Sequence, residues 1–192
     1  AALSPDCKTV AILTLGQSGG SYESQVRFYP VDQKEPSAVV SLGNLVPLDL
    51  DYENGALWVL GEDEVVIVSP NGKETATYSL GGNYLKGCDL GGDGFAVLLL
   101  GRYRAGSANQ IVTVDSNGKE IATQSLTSSV LSFDAAGRYF SLLTGDTLTI
   151  YTSDMTTYSI LEHTQNARYT ALSSSGAAVL ANAQQAWLYL PN

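Results

Sequence analysis

One turn recurs five times along the chain. "LSPDCKTVAIL" (3–13), "DYENGALWVL" (51–60), "LGGDGFAVLLL" (90–100), "FDAAGRYFSLL" (133–143) and "LSSSGAAVLAN" (172–182) each read as a short strand, a polar turn and an apolar strand. The turn residues in register are Cys7, Gly55, Gly94, Gly137 and Gly176, spaced by 48, 39, 43 and 39 residues. A period near 40 in an all-strand pattern marks propeller blades, four-stranded units that bury their faces on their neighbours. Four of the five turns use Gly, which points to φ > 0 at that position. Cys7 in the same place is expected to carry a strain of about 1 kcal/mol.

A second turn recurs inside each repeat. "VSPNGKE" (68–74) matches "VDSNGKE" (114–120), and Asn-Gly between alternating runs signals a tight hairpin. "YPVDQKEP" (29–36) and "YTSDMTTY" (151–158) fill the same slot in the first and fourth repeats. No capping box leads into a run of period 3.6, so no helix is expected. The blades are predicted at approximately 1–43, 44–82, 83–128, 129–164 and 165–192 of a single β-propeller domain. At the end, "AWLYLPN" (186–192) aligns with "VVIVSPN" (65–71), so the last blade is expected to hold three strands. The expected fold is all-β: about four complete four-stranded antiparallel blades plus one three-stranded blade. Two arrangements stay open. One is an open arc of a larger propeller, with the missing strand upstream of Ala1. The other is a closed five-bladed ring.

Composition narrows the function. Lys plus Arg number 10 against 19 Asp plus Glu, a net charge of −9. That balance opposes binding to nucleic acid or an anionic membrane surface, both of which need a basic face. The two cysteines, Cys7 and Cys88, have no metal-ligand spacing, so neither a zinc site nor a disulfide framework is expected. The longest apolar runs, such as "FAVLLL" (95–100), fall far short of the roughly 20 residues of a membrane helix. No cofactor is expected.

"SPDCKTVAIL" resembles the S-P-D-G-K-x-hydrophobic-A signature of bacterial propeller repeats, including those of the periplasmic Tol-system propeller, with Cys7 in the place of Gly. Over the whole chain, "AALSPDCKTVAILTL", "VVIVSPNGKE" and "LGGDGFAVLLLGRYRAGSANQIVTVDSNGKE" resemble the C-terminal half of a family of bacterial membrane-anchored β-propeller proteins of unknown function. The resemblance implies a parent protein tethered to the membrane by an upstream anchor, with the propeller outside the cytoplasm. It supplies no catalytic residues.

Candidate ligand-binding residues come from the two stretches in which the repeat is longest between its second and third strands. "LGQSGGSYES" (15–24) carries Tyr22, and "GRYRAGSANQ" (101–110) carries Arg102, Tyr103 and Arg104. Arg-Tyr-Arg on an acidic body suits a carboxylate or sugar acid. The single histidine, His163, reads as a surface residue. Asp49, Asp51 and Glu53 alternate along one strand, but a calcium loop would need Gly where Asn54 stands. Trp58 and Trp187 read as equivalent core positions. The expected function is a non-catalytic extracytoplasmic binding or scaffolding propeller for a protein or glycan ligand. A second copy, or the missing half of the propeller, is expected to cover the end blades. The alternative is a glycan-active or quinoprotein-like enzyme whose active site includes further blades.

Overall fold

Each of the five turn positions adopts a left-handed backbone. In the computed structural model φ is 58° at Cys7, 75° at Gly55, 78° at Gly94, 59° at Gly137 and 88° at Gly176. The structure describes residues 1–53, 55–73, 75–104 and 106–191, with the backbone alone of Ser18. Each turn joins the first and second strands of a sheet.

The first sheet holds β1 (Ala2–Leu3), β2 (Thr9–Ser18), β3 (Ser21–Pro30) and β4 (Ala38–Gly43). The second holds β5 (Pro47–Glu53), β6 (Ala56–Gly61), β7 (Glu64–Val68) and β8 (Thr75–Ser79). The third holds β9 (Tyr84–Gly92), β10 (Phe95–Gly101), β11 (Gln110–Asp115) and β12 (Glu120–Ser125). The fourth holds β13 (Val130–Ala136), β14 (Tyr139–Thr144), β15 (Thr147–Thr152) and β16 (Thr157–Glu162). The fifth has three strands, β17 (Tyr169–Leu172), β18 (Ala178–Ala181) and β19 (Ala186–Tyr189). Strand pairing within the sheets is antiparallel between consecutive strands, and no helix occurs among the described residues.

The Cys7 turn shares its hydrogen bonding with the second recurring turn. Ser4 donates its hydroxyl to Asp6 Oδ1 at 2.7 Å, and the Lys8 N–H donates to the same oxygen. Ser69 and Lys73 treat Asn71 in the same way, as do Thr152 and Thr156 with Asp154. The residue after the Asx is left-handed each time: Cys7, Gly72 (φ 67°) or Met155 (φ 63°). Its N–H closes the turn onto the Ser or Thr carbonyl. An Asx side chain that mimics a backbone turn stabilises this geometry well enough to carry Cys or Met where Gly is the usual residue. The hydroxyl donation, first of all, holds the Asp6 and Asp154 carboxyls below their usual range.

One expected loop is absent. Residues 15–24 are paired strand, with β2 and β3 in register out to Ser18 opposite Ser21. Gly19 (φ 60°) and Gly20 (φ 88°) supply the two left-handed residues of a two-residue hairpin, so the extra length becomes ladder. The tryptophans are not equivalent either: Trp58 lies on β6, the second strand of its sheet, and Trp187 on β19, the third of its own. Both are apolar packing residues, Trp58 at 1% exposure and Trp187 against the core between the fourth and fifth sheets.

The chain divides into two compact units. The first is Ala1–Gly82 with Ser116–Gly118, and the second is Asn83–Asp115 with the chain from Lys119 onward. In the first unit, Ala11, Val26 and Phe28 of the first sheet pack on Leu50, Leu57 and Val59 of the second. In the second unit, β14 serves two cores. Phe140 and Leu142 join Phe95, Val97 and Leu99 of the third sheet, whereas Tyr139 and Leu143 join Ala178 and Leu180 of the fifth. Alternate side chains of one strand thus bind its sheet to both neighbours.

Candidate functional site

Of the two predicted sites, the one between β10 and β11 is a loop, whereas the other is strand up to a two-residue turn. Arg102, Tyr103 and Arg104 are all exposed, Tyr103 at 63%. Its ring lies 4.9 Å from that of Tyr84 on β9, with 36° between the planes. The Arg104 guanidinium stands 5.2 Å from the Tyr103 centroid. Arg104 is left-handed (φ 60°), a conformation that costs a non-Gly residue and sets this side chain back over the ring. No carboxylate among the described residues forms an ion pair with Arg102 or Arg104. The result is a tilted aromatic pair with a cation beside it, on a body of net charge −9. Such a surface can stack a planar or sugar ring and pair with a carboxylate.

Tyr22 sits elsewhere. It is 57% exposed on β3, in the first unit, beside a hollow of about 580 Å³ lined by Leu15, Gly20, Asn44 and Glu62. The structure therefore groups Arg102, Tyr103 and Arg104 with Tyr84 and leaves Tyr22 at a separate hairpin. Tyr84 escaped the sequence reading because it lies on the first strand of the repeat, 19 residues before Tyr103, and only pairing of β9 with β10 brings it close.

Acidic groups lie on the innermost strands. Asp89 on β9 accepts the Gly91 N–H at 2.9 Å, and Asp134 on β13 accepts the Leu172 N–H of β17 through Oδ2. Burial, and then the Asp134 charge against it, hold Asp89 above the usual carboxylate range, although the Gly91 and Ala135 N–H groups pull it down. The two carboxyls tie β9, β13 and β17 side by side. Any Cβ at Gly91 would collide with the Ala135 carbonyl, so glycine is what lets β9 approach. Asp89 stands five residues before Gly94 and Asp134 three before Gly137, two places apart in the repeat, so the repeat register did not mark them as a pair. Asp49 and Asp51 on β5 accept the N–H groups of Leu50 and Tyr52, each at 2.8 Å. Asn54 lies outside the described residues. No group of three or more metal-ligating side chains occurs among the described residues.

A family model matches the chain over residues 1–173. The chain belongs to the DUF5711 family, a family of unknown function. Among solved structures, this DUF5711 member is similar to that titled "Structure of U3-55K", with a TM-score of 0.55 and 11% identity over 96% of this chain and 73% of that one. It is also similar to the Neurospora crassa Pan2 WD40 domain, with a TM-score of 0.47 and 13% identity over 93% of this chain and 60% of that one. The first likeness shows the β-propeller fold. No curated protein matches.

His163 in this DUF5711 chain is exposed but not isolated. It follows β16 in a loop where His163, Gln165 and Asn166 have φ of 61°, 52° and 60°. The loop wraps the Asp146 carboxylate, which accepts the Thr164 hydroxyl at 3.0 Å and faces His163 Nδ1 at 3.4 Å. Chiefly through the Thr164 hydrogen bond, Asp146 is held below its usual range. An internal anion thus occupies the loop's donors and accounts for its strained backbone.

Proposed function

We propose that the chain is a non-catalytic binding or scaffolding propeller that works outside the cytoplasm and takes a carboxylate-bearing glycan or protein ligand at the Arg102–Arg104 loop. One observation carries this reading: Tyr103, backed by Tyr84 and capped by Arg104, is presented to solvent with unpaired cations beside it. The extracytoplasmic, membrane-tethered setting rests on the resemblance to bacterial anchored propellers. The aspartates of the innermost strands are engaged with backbone N–H groups, which supports a structural rather than an acid–base duty for them.

The test is calorimetric titration with an oligosaccharide containing uronic acid, against its neutral counterpart. Arg104→Gly relieves the left-handed backbone and removes the guanidinium, so the fold survives while affinity falls about tenfold, the worth of one charged contact. Tyr103→Ala should weaken binding by a similar factor. Equal affinity for the neutral sugar, or none for either, would overturn the reading. The apolar outer faces of the first and fifth sheets, with Leu3, Ile12 and Val39 on one and Val179 and Leu188 on the other, support association with a second copy. Sedimentation should find a dimer that Leu188→Lys weakens.

A further inference from the structure

The geometry points to a second binding site in the first unit, for the cationic side chain of a partner peptide, at the cleft where the Ser4–Asp6 turn meets Tyr52 and the Ser69–Asn71 turn. The cleft encloses about 440 Å³ and is lined by Pro5, Asp6, Tyr52, Gly55, Pro70 and Asn71 among others. A second hollow of about 370 Å³ shares Gly55 and Pro70 with it and extends the groove to Ser116 and Asn117. Cavities of this size accept a side chain or a small ligand.

Two groups in the cleft are not explained by the fold. Tyr52 is only 7% exposed, yet its hydroxyl has no hydrogen-bond partner among the described residues. Its ring packs in the apolar core between the first and second sheets, a task that Phe would perform without an orphaned polar atom. Burial first, then the nearby Asp6 charge, push its phenol above the usual range.

Asp6 is the second. Its Oδ1 is taken up by the Ser4 hydroxyl and the Lys8 N–H, while among the described residues Oδ2 meets only the Lys8 ammonium, at 3.9 Å and exposed. A surface pair at that distance holds its charge weakly. The turn does not need the charge, because Asn71 makes the same two hydrogen bonds in the matching turn with a neutral amide. The negative charge of Asp6 is therefore surplus to the turn and sits at the mouth of a cleft walled by two proline rings and a phenol. Those walls suit the methylene stem of Lys or Arg, and the exposed Asp6 carboxylate suits its head. The net charge of −9 draws cations to the whole surface.

The experiment uses the 192-residue chain and a blocked tripeptide with central arginine, followed by amide chemical shifts. Saturable shifts at residues 4–9 and 52–55 are expected, weakening as salt rises, with the isosteric citrulline peptide at least about tenfold weaker. Asp6→Asn should keep the turn and the melting temperature while losing the same factor in affinity. Tyr52→Phe keeps the ring that walls the cleft, so it should raise the melting temperature by removing an orphaned hydroxyl and leave binding within about twofold. Asp63→Asn, at the exposed tip between β6 and β7, should change neither. Unaltered binding to Asp6→Asn, equal binding of citrulline, equal loss in Asp63→Asn, or no saturation with the arginine peptide would overturn the site. So would tighter binding of a neutral trisaccharide in the same cleft.

Discussion

Along β14 in the fourth sheet, five consecutive residues from Tyr139 are buried, with odd positions facing the fifth sheet and even ones the third. Along β18 in the fifth sheet, Ala178 and Leu180 are buried while Val179 between them is 44% exposed. Yet the uncovered face of the fifth sheet is as apolar as the covered one. Val179 and Leu188 sit opposite each other across β18 and β19, and Tyr169 and Leu190 are also exposed. The repeat writes both faces for burial, and what decides exposure is whether a neighbouring sheet is present. Residue type alone would assign these positions to a core.

The largest way to break this comparison is to truncate one residue of each kind. Phe140→Ala, at 1% exposure, should cost roughly 3–5 kcal/mol in urea unfolding. Leu188→Ala, at 61%, should stay within about 0.5 kcal/mol. Similar costs would mean that the fifth sheet is covered after all.

Next in size is the link between the two sheets. Asp134→Ala strands the Leu172 N–H and should cost about 1.5–3 kcal/mol, with faster amide exchange at Leu172 than at Leu142. If exchange rises evenly across both sheets, the carboxylate is not a local latch.

Asp89 sharpens the comparison through pH. Its folded pKa is raised, so its contribution to stability is present in acid, below the unfolded value, and is lost as pH rises through the folded one. Asp89→Asn keeps an acceptor for the Gly91 N–H and removes the charge beside Asp134. It should raise the melting temperature at neutral pH and lose that gain in acid. Asp146 behaves oppositely: its stability is present above the unfolded pKa and lost as pH falls through the lowered one. A gain for Asp89→Asn that is unchanged with pH would remove the pair from the account.

The smallest expected effect lies in the first sheet, which also has one bare face. Cys7→Gly should be neutral or stabilising by a few tenths to about 1 kcal/mol, because the left-handed turn is relieved. Its exposed thiol should alkylate faster than the half-buried Cys88 on β9. A loss of melting temperature would show that the Asx turn favours Cys in its own right.

Much of the fold was legible because it is repeated. One left-handed residue per repeat, four times Gly, fixed the hairpins, and the spacing between them gave the sheets. The stretch 15–24 misled because Gly and Ser suggested a loop, when Gly19-Gly20 is the signature of a two-residue hairpin inside longer strands. The Arg-Tyr-Arg loop was visible as extra length, but Tyr84 became part of it only through strand pairing. Asp89 and Asp134 went unread because their partners are backbone groups, Gly91 on the same strand for Asp89 and Leu172 of the next sheet for Asp134, which leave no mark in sequence. Tyr52 was invisible for a similar reason: an orphaned hydroxyl has no mark in sequence.

Among the described residues every ladder joins strands that are neighbours in sequence, and this bears on how the chain reaches its native state. The widest gap that any ladder must close is the span of a single hairpin connection, so little chain entropy is lost before hydrogen bonds form. An all-β protein of this kind should fold faster than a sandwich of equal length, whose strands wait for distant partners. Nucleation can begin in any sheet and spread outward through the β9–β13 and β13–β17 carboxylate ties. The fifth sheet, one strand short and covered on one side, should then be the last to form and the first to fray.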